Sequence, residues 1–150
     1  MDEYIKSIDF ADSNLSKNFA TERRTAVNDL LAENYFSIDS LKQGPYDITI
    51  SVTDDKLRLQ VNTAQDNNIS FNLVQKGLRR LIKDYFLLND NYEQVRKLGQ
   101  PEKIETIDMA RRSIHNEGAE KILEIVQDKV SMDFKTARSF FTLITTLYMR

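Results

Sequence analysis

The stretch YDITISVTDDKLRLQVNTAQDNNISFNL, residues 46–73, determines the fold class of this chain. Large apolar side chains occupy every second position in three segments of it: Ile48, Ile50 and Val52; Leu57, Leu59 and Val61; Ile69, Phe71 and Leu73. A period of two is typical of strands that have one buried face and one solvent-exposed face. The pattern predicts an antiparallel meander, with Asp54-Asp55 in a tight hairpin and residues 63–68 in a longer turn.

The segments before the meander carry shorter patterns. Residues 4–10 are predicted to form a further strand, because three large side chains share one alternation phase: Tyr4, Ile8 and Phe10. Thr21 is expected to cap a helix that ends near Asn34, since apolar residues between them recur at helical spacing. Gly44-Pro45 indicates a turn between that helix and the meander.

Helical spacing replaces the two-residue period after residue 74. It predicts a helix over about 75–88, a short one over about 91–98, a long one from about 102, and a last one opened by Met132-Asp133. One stripe of the long helix steps by three or four residues: Ile104, Ile107, Arg111, Ile114, Gly118, Ile122 and Ile125. Either this helix runs unbroken through Gly118, or it ends there with Gly118 as its C-terminal cap.

Strands followed by helices are the pattern of an α+β domain. We therefore predict an antiparallel β-meander of about three to four strands with helices packed on one face. The C-terminal half is predicted to be all helical, within one domain over residues 1–150. A chain of 150 residues suits a single domain that buries its own core.

Composition narrows the classes of function. The net charge is −2, which argues against a dedicated nucleic-acid binder and makes such a partner unlikely. The chain has no cysteine, so disulfides, thiolate zinc sites and thiol nucleophiles are excluded. The acidic start lacks the apolar core of a secretory signal, and no apolar run reaches the roughly 20 residues that span a membrane. The cytoplasm is the expected compartment.

The run around His115 holds the candidate catalytic residues. His115 is the only histidine, and either Asp108 or Glu117 is placed to orient it as a general acid or base. Arg111 and Arg112 are candidates for holding an anionic group. In the alternative interpretation, His115 is a boundary residue with one hydrogen bond, and Asp108–Arg112 is an ordinary helical ion pair.

The same run raises a structural question about Arg111. It lies on the inward stripe of the long helix, so we expect it to be partly buried and to have a carboxylate partner. No metal or cofactor is expected, because His115 has no second histidine or cysteine at a ligand spacing. Phosphate-binding glycine loops and nucleophile elbows are also absent from the sequence.

Two other surfaces are candidates for binding. Lys76, Arg79, Arg80 and Lys83 share one side of a predicted helix, where they either bind a nucleic-acid backbone or phosphate, or form a solvated face. Further along, apolar side chains are candidates for a self-association or partner surface: Phe86, Leu87, Leu88 and Tyr92.

Several blocks of the sequence resemble a known bacterial family. They are residues 20–36, Gly44-Pro45-Tyr46, Lys83-Asp84-Tyr85-Phe86, Ile107-Asp108-Met109, Arg111-Arg112, His115-Asn116-Glu117-Gly118, Asp133-Phe134, Thr136-Ala137-Arg138 and Phe141-Thr142-Leu143-Ile144. In this order they resemble uncharacterised protein family 0262 over about residues 20–147. The resemblance implies a cytosolic bacterial protein that forms a domain by itself, and it assigns no activity, cofactor or catalytic residue.

Three hypotheses of function follow from the sequence. The first is a non-catalytic binding or protein-interaction domain, acting as a homodimer or with another protein. The second is a small enzyme that uses His115 with a nearby carboxylate as acid and base. The third is nucleic-acid or phosphate binding by the helix face that runs from Lys76 to Lys83.

Overall fold

The computed structural model describes residues 2–11, 19–53, 56–74 and 76–148, with Lys76 described by its backbone alone. The tight hairpin predicted at Asp54-Asp55 lies outside these residues. The strands and helices follow in the order β1 (Ile5–Phe10), α1 (Ala20–Ala32), β2 (Phe36–Ile38), β3 (Tyr46–Thr53), β4 (Lys56–Asn62), β5 (Asn68–Asn72), α2 (Lys76–Leu98), α3 (Pro101–Val126), β6 (Val130–Met132) and α4 (Phe134–Tyr148).

The α+β class is confirmed, and so is the meander. Strands β3, β4 and β5 pair antiparallel in sequence order, and their alternating apolar side chains face a single hydrophobic core. The order of the four-stranded sheet is β1-β3-β4-β5. The helices cover the apolar face of the sheet, because only that face carries enough apolar area to bury.

The first strand corrects the prediction of a purely antiparallel sheet. β1 pairs with β3 in parallel, so the sheet is mixed. Parallel neighbours need a crossover connection, which α1 and the segments around it supply. The predicted phase of β1 is confirmed for Ile8, which is buried, and for Phe10, which packs against the core. It is wrong for Tyr4, which is 42% exposed, and the other buried residue of the strand is Ile5. The register shifts between Ile5 and Ser7, and such an irregularity changes which side chains point inward.

A second sheet of two strands was not predicted. β2 and β6 pair antiparallel. Of the helices and strands in the C-terminal half, only the three-residue β6 is not helical. Strands of three residues are too short to show an alternation. Met132 belongs to β6, and the last helix begins at Phe134. Asp133 caps this helix, because its Oδ1 accepts the backbone N–H of Thr136 at 2.9 Å.

The helices differ from their predicted bounds in three places. α1 begins at Ala20 without a side-chain cap and ends at Ala32, so Thr21 is not its cap. α2 is one helix of 23 residues rather than two, because packing along α3 compensates for the low helix propensity of residues 89–91. α3 continues through Gly118 to Val126, which excludes the C-cap alternative.

Gly118 lets α3 and α4 approach each other closely. The glycine is buried, and a Cβ atom at this position would lie 2.2 Å from Cδ1 of Phe141 in α4. The stripe that steps through Gly118 is therefore the contact side of α3. In the part of the chain that the structure describes, no helix has the length and apolar character needed to span a membrane.

Candidate functional site

Helices α2 and α3 form an antiparallel hairpin that projects from the rest of the domain. Gly99 ends α2 with φ of +66°, a backbone conformation that glycine adopts without strain, and Pro101 opens α3. The predicted stop and start at this turn are confirmed. At 1.5 Å per residue the 23 residues of α2 extend over roughly 34 Å.

The distal half of this hairpin contains no buried residue. Tyr85 in α2 and Gly118 in α3 are buried, but every residue from Phe86 to Glu117 is exposed or only partly buried. We call residues 86–117 the arm. Several of its side chains are apolar and remain partly exposed: Phe86, Leu88, Tyr92, Val95, Ile104, Ile107, Ala110 and Ile114. Three others are largely exposed, namely Leu87 at 60%, Leu98 at 70% and Met109 at 61%.

His115 lies at the base of the arm, between two aromatic rings. Its ring packs edge-on against Tyr85 and Phe141, with centroid distances of 5.0 and 5.4 Å. Its Nδ1 lies 3.1 Å from Oγ1 of Thr142, whose hydroxyl also donates to the Arg138 carbonyl at 3.1 Å. A hydroxyl has one proton, so when that proton goes to the carbonyl, Nδ1–H of His115 is the donor to Oγ1.

The surroundings of His115 keep it neutral. Burial lowers the pKa of His115 from its usual 6.5 to about 4, and the positive charges of Arg138 and Arg111 act in the same direction. Among the described residues, neither Asp108 nor Glu117 makes a hydrogen bond to its ring. The carboxylate–histidine pair considered in the sequence is therefore not formed.

We expect His115 to make stability depend on pH. The unfolded chain binds a proton near pH 6.5 and the folded chain only near pH 4, so stability falls as the pH drops through this window. Between pH 7 and pH 5 the loss is about 1 to 2 kcal/mol, after allowance for the partial exposure of the ring. His115→Gln removes the titration.

Urea unfolding at both pH values, on wild type and on His115→Gln, measures this effect. The wild type should lose more stability than the variant on going from pH 7 to pH 5. Equal losses in the two proteins would show that His115 does not titrate in this way.

Arg111 stands beside His115 on α3 and packs on the rings of α2. Its guanidinium carbon is 4.9 Å from the ring centroid of Tyr92 and 5.9 Å from that of Tyr85. Its Nη1 lies 3.5 Å from Oδ1 of Asp108, and its side chain is 30% exposed. The predicted partial burial of Arg111 and its predicted carboxylate partner are both confirmed. The pairing Asp108–Arg112 is replaced by Asp108–Arg111, and Arg112 is exposed.

Arg111→Gln should therefore lower the free energy of unfolding by about 1 kcal/mol. The substitution removes a cation over two aromatic rings and the packing of the long side chain. Arg112→Gln is the matched control, because Arg112 is exposed on the next position of the same helix. Denaturant melts of both variants should separate them; identical stabilities would contradict the structural role of Arg111.

A groove of about 610 Å³ runs between α2 and α3 on the body side of the arm. It is lined by Gly77, Arg80, Leu81, Asp84, Glu117, Glu120, Lys121 and Glu124. Four carboxylates thus face two cations. Glu117 belongs to this groove rather than to the surroundings of His115.

The groove changes the interpretation of the basic helix face. Arg79, Arg80 and Lys83 are exposed on α2 as predicted, and the Lys76 side chain lies outside the described residues. Arg80 lines the groove together with the carboxylates, which lower the positive potential that a phosphate backbone needs. This face is therefore less basic than the sequence alone indicates.

Sequence reasoning missed the groove carboxylates Glu120 and Glu124, and it missed Val95 and Leu98 near the tip of the arm. Of these residues, Val95 has a signal in the spacing. Leu81, Leu88 and Val95 are seven residues apart, and so are Ile107, Ile114 and Lys121. A seven-residue step returns to almost the same side of a helix, so each set follows one side of its helix.

Fold and site together define a small α+β domain with a projecting helical arm. The chain belongs to the Uncharacterised protein family UPF0262, whose model matches residues 3–150. The match extends the resemblance seen in the sequence nearly to the N-terminus.

Named relatives agree with this assignment. The chain is 40% identical to a UPF0262 protein of Agrobacterium fabrum over 130 residues, which are 86% of this chain and 83% of that protein. It is 38% identical to UPF0262 proteins of Rhizobium etli and Rhizobium meliloti over the same share of this chain and 83% and 82% of those proteins. No solved structure matches the chain.

Proposed function

We propose that the protein is a non-catalytic interaction domain of the cytoplasm, and that the arm is the part of it that binds a partner protein. One observation carries the proposal: from Phe86 to Glu117 the two helices hold apolar side chains, yet none of these residues is buried. A helix pair that served only the core would end where the core ends, at Tyr85 and Gly118.

The energetics of the arm support this role. Burial of a leucine or methionine side chain stabilises a protein or a complex by about 1.5–3 kcal/mol. Because Leu87, Leu98 and Met109 are exposed, this free energy of burial is still available to a binding partner. Helices gain most of their stability from packing an apolar face. The arm packs against the core at its base, through Phe86, Ile114 and His115, and none of its residues is buried. Several exposed apolar side chains on one pair of helices are what an interaction site typically presents.

Catalysis by His115 receives less support from the geometry. The ring packs against Tyr85 and Phe141, and burial keeps its pKa near 4, far from the value that suits an acid or base at neutral pH. The side chain of Arg111 faces the aromatic rings of α2, which leaves Arg112 as the exposed arginine of the pair.

Site-specific cross-linking in cells tests the proposal. A photoreactive phenylalanine analogue is placed at Leu98 or at Met109, and at Gln60 on the exposed face of β4 as a control. We expect adducts from both arm positions and none from Gln60. We also expect Leu87→Glu to reduce the Leu98 adducts at least tenfold. The proposal is wrong if the arm positions give no more adducts than Gln60.

A further inference from the structure

The four-stranded sheet has two outer edges, β1 and β5, and the β1 edge is protected. The side chain of Asn34 donates to the C=O of Ile5 at 3.2 Å and accepts the N–H of Ile5 at 2.7 Å. β1 also carries the charges of Lys6 and Asp9, and its register is irregular. Occupied backbone groups, charged side chains and irregularities are features that keep an edge strand from pairing with another chain.

The β5 edge lacks these protecting features. β4 is the only described strand that pairs with β5, and the register between the two is regular. No charged residue and no proline occurs from Asn67 to Val74. A cleft of about 260 Å³ lies beside this edge, with Ile69 and Ser70 in its lining. The edge is therefore suited to receive a further strand.

The backbone of β5 directs hydrogen-bonding groups to its outer side at three positions. In an antiparallel pair, the N–H and C=O groups of every second residue point to the neighbouring strand. Leu73 donates its N–H to the C=O of Leu57 at 2.8 Å, which fixes this alternation. The groups that point away from β4 belong to Asn68, Ser70 and Asn72.

We propose that β5 pairs with β5 of a second copy of the chain, antiparallel, about a two-fold axis at Ser70. The strand reads Asn-Ile-Ser-Phe-Asn, so polar and apolar side chains follow in the same order in both directions from Ser70. Ser70 then forms a hydrogen-bonded pair with Ser70 of the second copy, and Asn68 forms one with Asn72. Ile69 lies opposite Phe71, and no like charges meet between the two β5 strands. The two copies share one sheet of eight strands, through an interface that is the same on both.

The pairing goes beyond the proposed function, because it uses no residue of the arm. Three hydrogen-bonded residue pairs supply about six backbone hydrogen bonds. Two short strands bury much less than the ~800 Å² per partner of a standard interface, so we expect a dissociation constant of roughly 10–100 μM. Such a dimer dissociates in a dilute cell extract. At higher concentration it presents two arms, which raises the avidity for a partner with two binding sites.

Single cysteines test the register of the two strands, because the chain itself contains no cysteine. Hydrogen-bonded partners in an antiparallel pair have Cα atoms about 5.5 Å apart, which is within disulfide range. Under mild oxidation at roughly 100 μM protein, we expect Ser70→Cys to form a covalent dimer of twice the 17.5 kDa chain mass. Gln60→Cys on the exposed face of β4 is the control. Its two copies would lie roughly 14 Å apart, so it should cross-link at least tenfold more slowly.

Two further cysteines test the two-fold arrangement. Asn68→Cys and Asn72→Cys should each cross-link poorly alone, because two copies of either residue lie about 13 Å apart along the strands. Their equimolar mixture should cross-link at a rate comparable to that of Ser70→Cys. The inference is overturned if Ser70→Cys reacts no faster than Gln60→Cys, or if either variant alone reacts as fast as the mixture.

Sedimentation equilibrium measures the pairing without a cross-link. Ser70→Pro removes an outward N–H and no hydrogen bond to β4, the kind of edge position where proline is tolerated. With circular dichroism confirming the fold, its dissociation constant should be at least tenfold higher than that of the wild type. A wild type that stays monomeric up to roughly 300 μM, or a folded Ser70→Pro that associates equally well, contradicts the pairing. Leu87→Glu in the arm should leave the association unchanged. An association that Leu87→Glu abolishes belongs to the arm, which overturns the inference and leaves the proposed function in place.

Discussion

Replacing Gly118 with alanine should destabilise the protein by about 2–4 kcal/mol, although alanine is the better helix former. In an exposed helix the change would gain about 1 kcal/mol. Here the new Cβ would lie 2.2, 2.4 and 2.5 Å from Cδ1, Cγ and Cε1 of Phe141. Phe141 is fully buried and packs against the rings of Tyr85 and His115, so it has no free space into which to move. α3 and α4 must therefore move apart to make room for the new methyl group, and such overpacking lowers the free energy of unfolding.

Gly77→Ala is the matched control for this prediction. Gly77 is also helical, but its nearest neighbour is the flexible end of Lys121, 3.4 Å from the added Cβ. We expect this variant to be as stable as the wild type or slightly more stable. Thermal and urea unfolding of both variants and of the wild type measure the difference in stability. A Gly118→Ala protein that matches Gly77→Ala would contradict the close packing of α3 on α4.

Tyr46→Phe should be the second variant with a large effect, about 2–4 kcal/mol. The Tyr46 side chain is fully buried, and its hydroxyl donates to a carboxylate oxygen of Glu3. The same hydroxyl accepts the backbone N–H groups of Ile38 and Gln43, each at 3.1 Å. Removing one oxygen leaves two N–H groups without this acceptor and takes a donor from the carboxylate, and unsatisfied buried groups are costly.

Glu3 is the acceptor at the centre of this network. It also accepts Oγ–H of Ser37 and the N–H of Gly44, each at 2.7 Å. Burial raises the pKa of Glu3, but the hydrogen bonds from Tyr46, Ser37 and Gly44 outweigh it and hold the pKa below the usual 4.5. The ionised Glu3 carboxylate therefore contributes to the free energy of unfolding above pH 4.5. This stabilisation is lost as the pH falls through the lower pKa that Glu3 has in the folded state.

Tyr35→Phe serves as the control for Tyr46→Phe, because Tyr35 is 46% exposed. Its unfolding free energy should stay within about 0.5 kcal/mol of the wild type, the usual range for surface changes. If Tyr46→Phe unfolds at the same urea concentration as Tyr35→Phe, the hydroxyl does not hold the segments of Glu3, Ile38 and Gln43 together.

The sheet was predictable from the sequence wherever its strands were long. β3 and β4 have seven or more residues, enough for the alternation of Ile48, Ile50, Leu57 and Leu59 to appear. β2 and β6 have three residues each, and the pairing between them is set by tertiary contacts. The direction of β1 is not encoded in its own sequence, because a parallel and an antiparallel neighbour can present the same apolar face.

The candidate site was predictable only in part. The helical period placed Arg111 on the inward side of α3, and the structure shows it partly buried there. The partners of His115 come from α2 and α4, and helical spacing within α3 carries no information about them. The exposure of the arm could not be predicted either. An apolar stripe is visible in the sequence, but the point along the stripe at which the core stops covering it depends on tertiary packing.

The size of the protein in a fresh cell extract tests the central claim most directly. Gel filtration under native conditions, with detection of this chain alone, compares the wild type with a variant that carries Leu87→Glu and Leu98→Glu on the exposed side of the arm. We predict that the wild type elutes well above its 17.5 kDa chain mass and that the variant, still folded, elutes as a monomer. A wild type that elutes together with the variant at the monomer position would contradict the account.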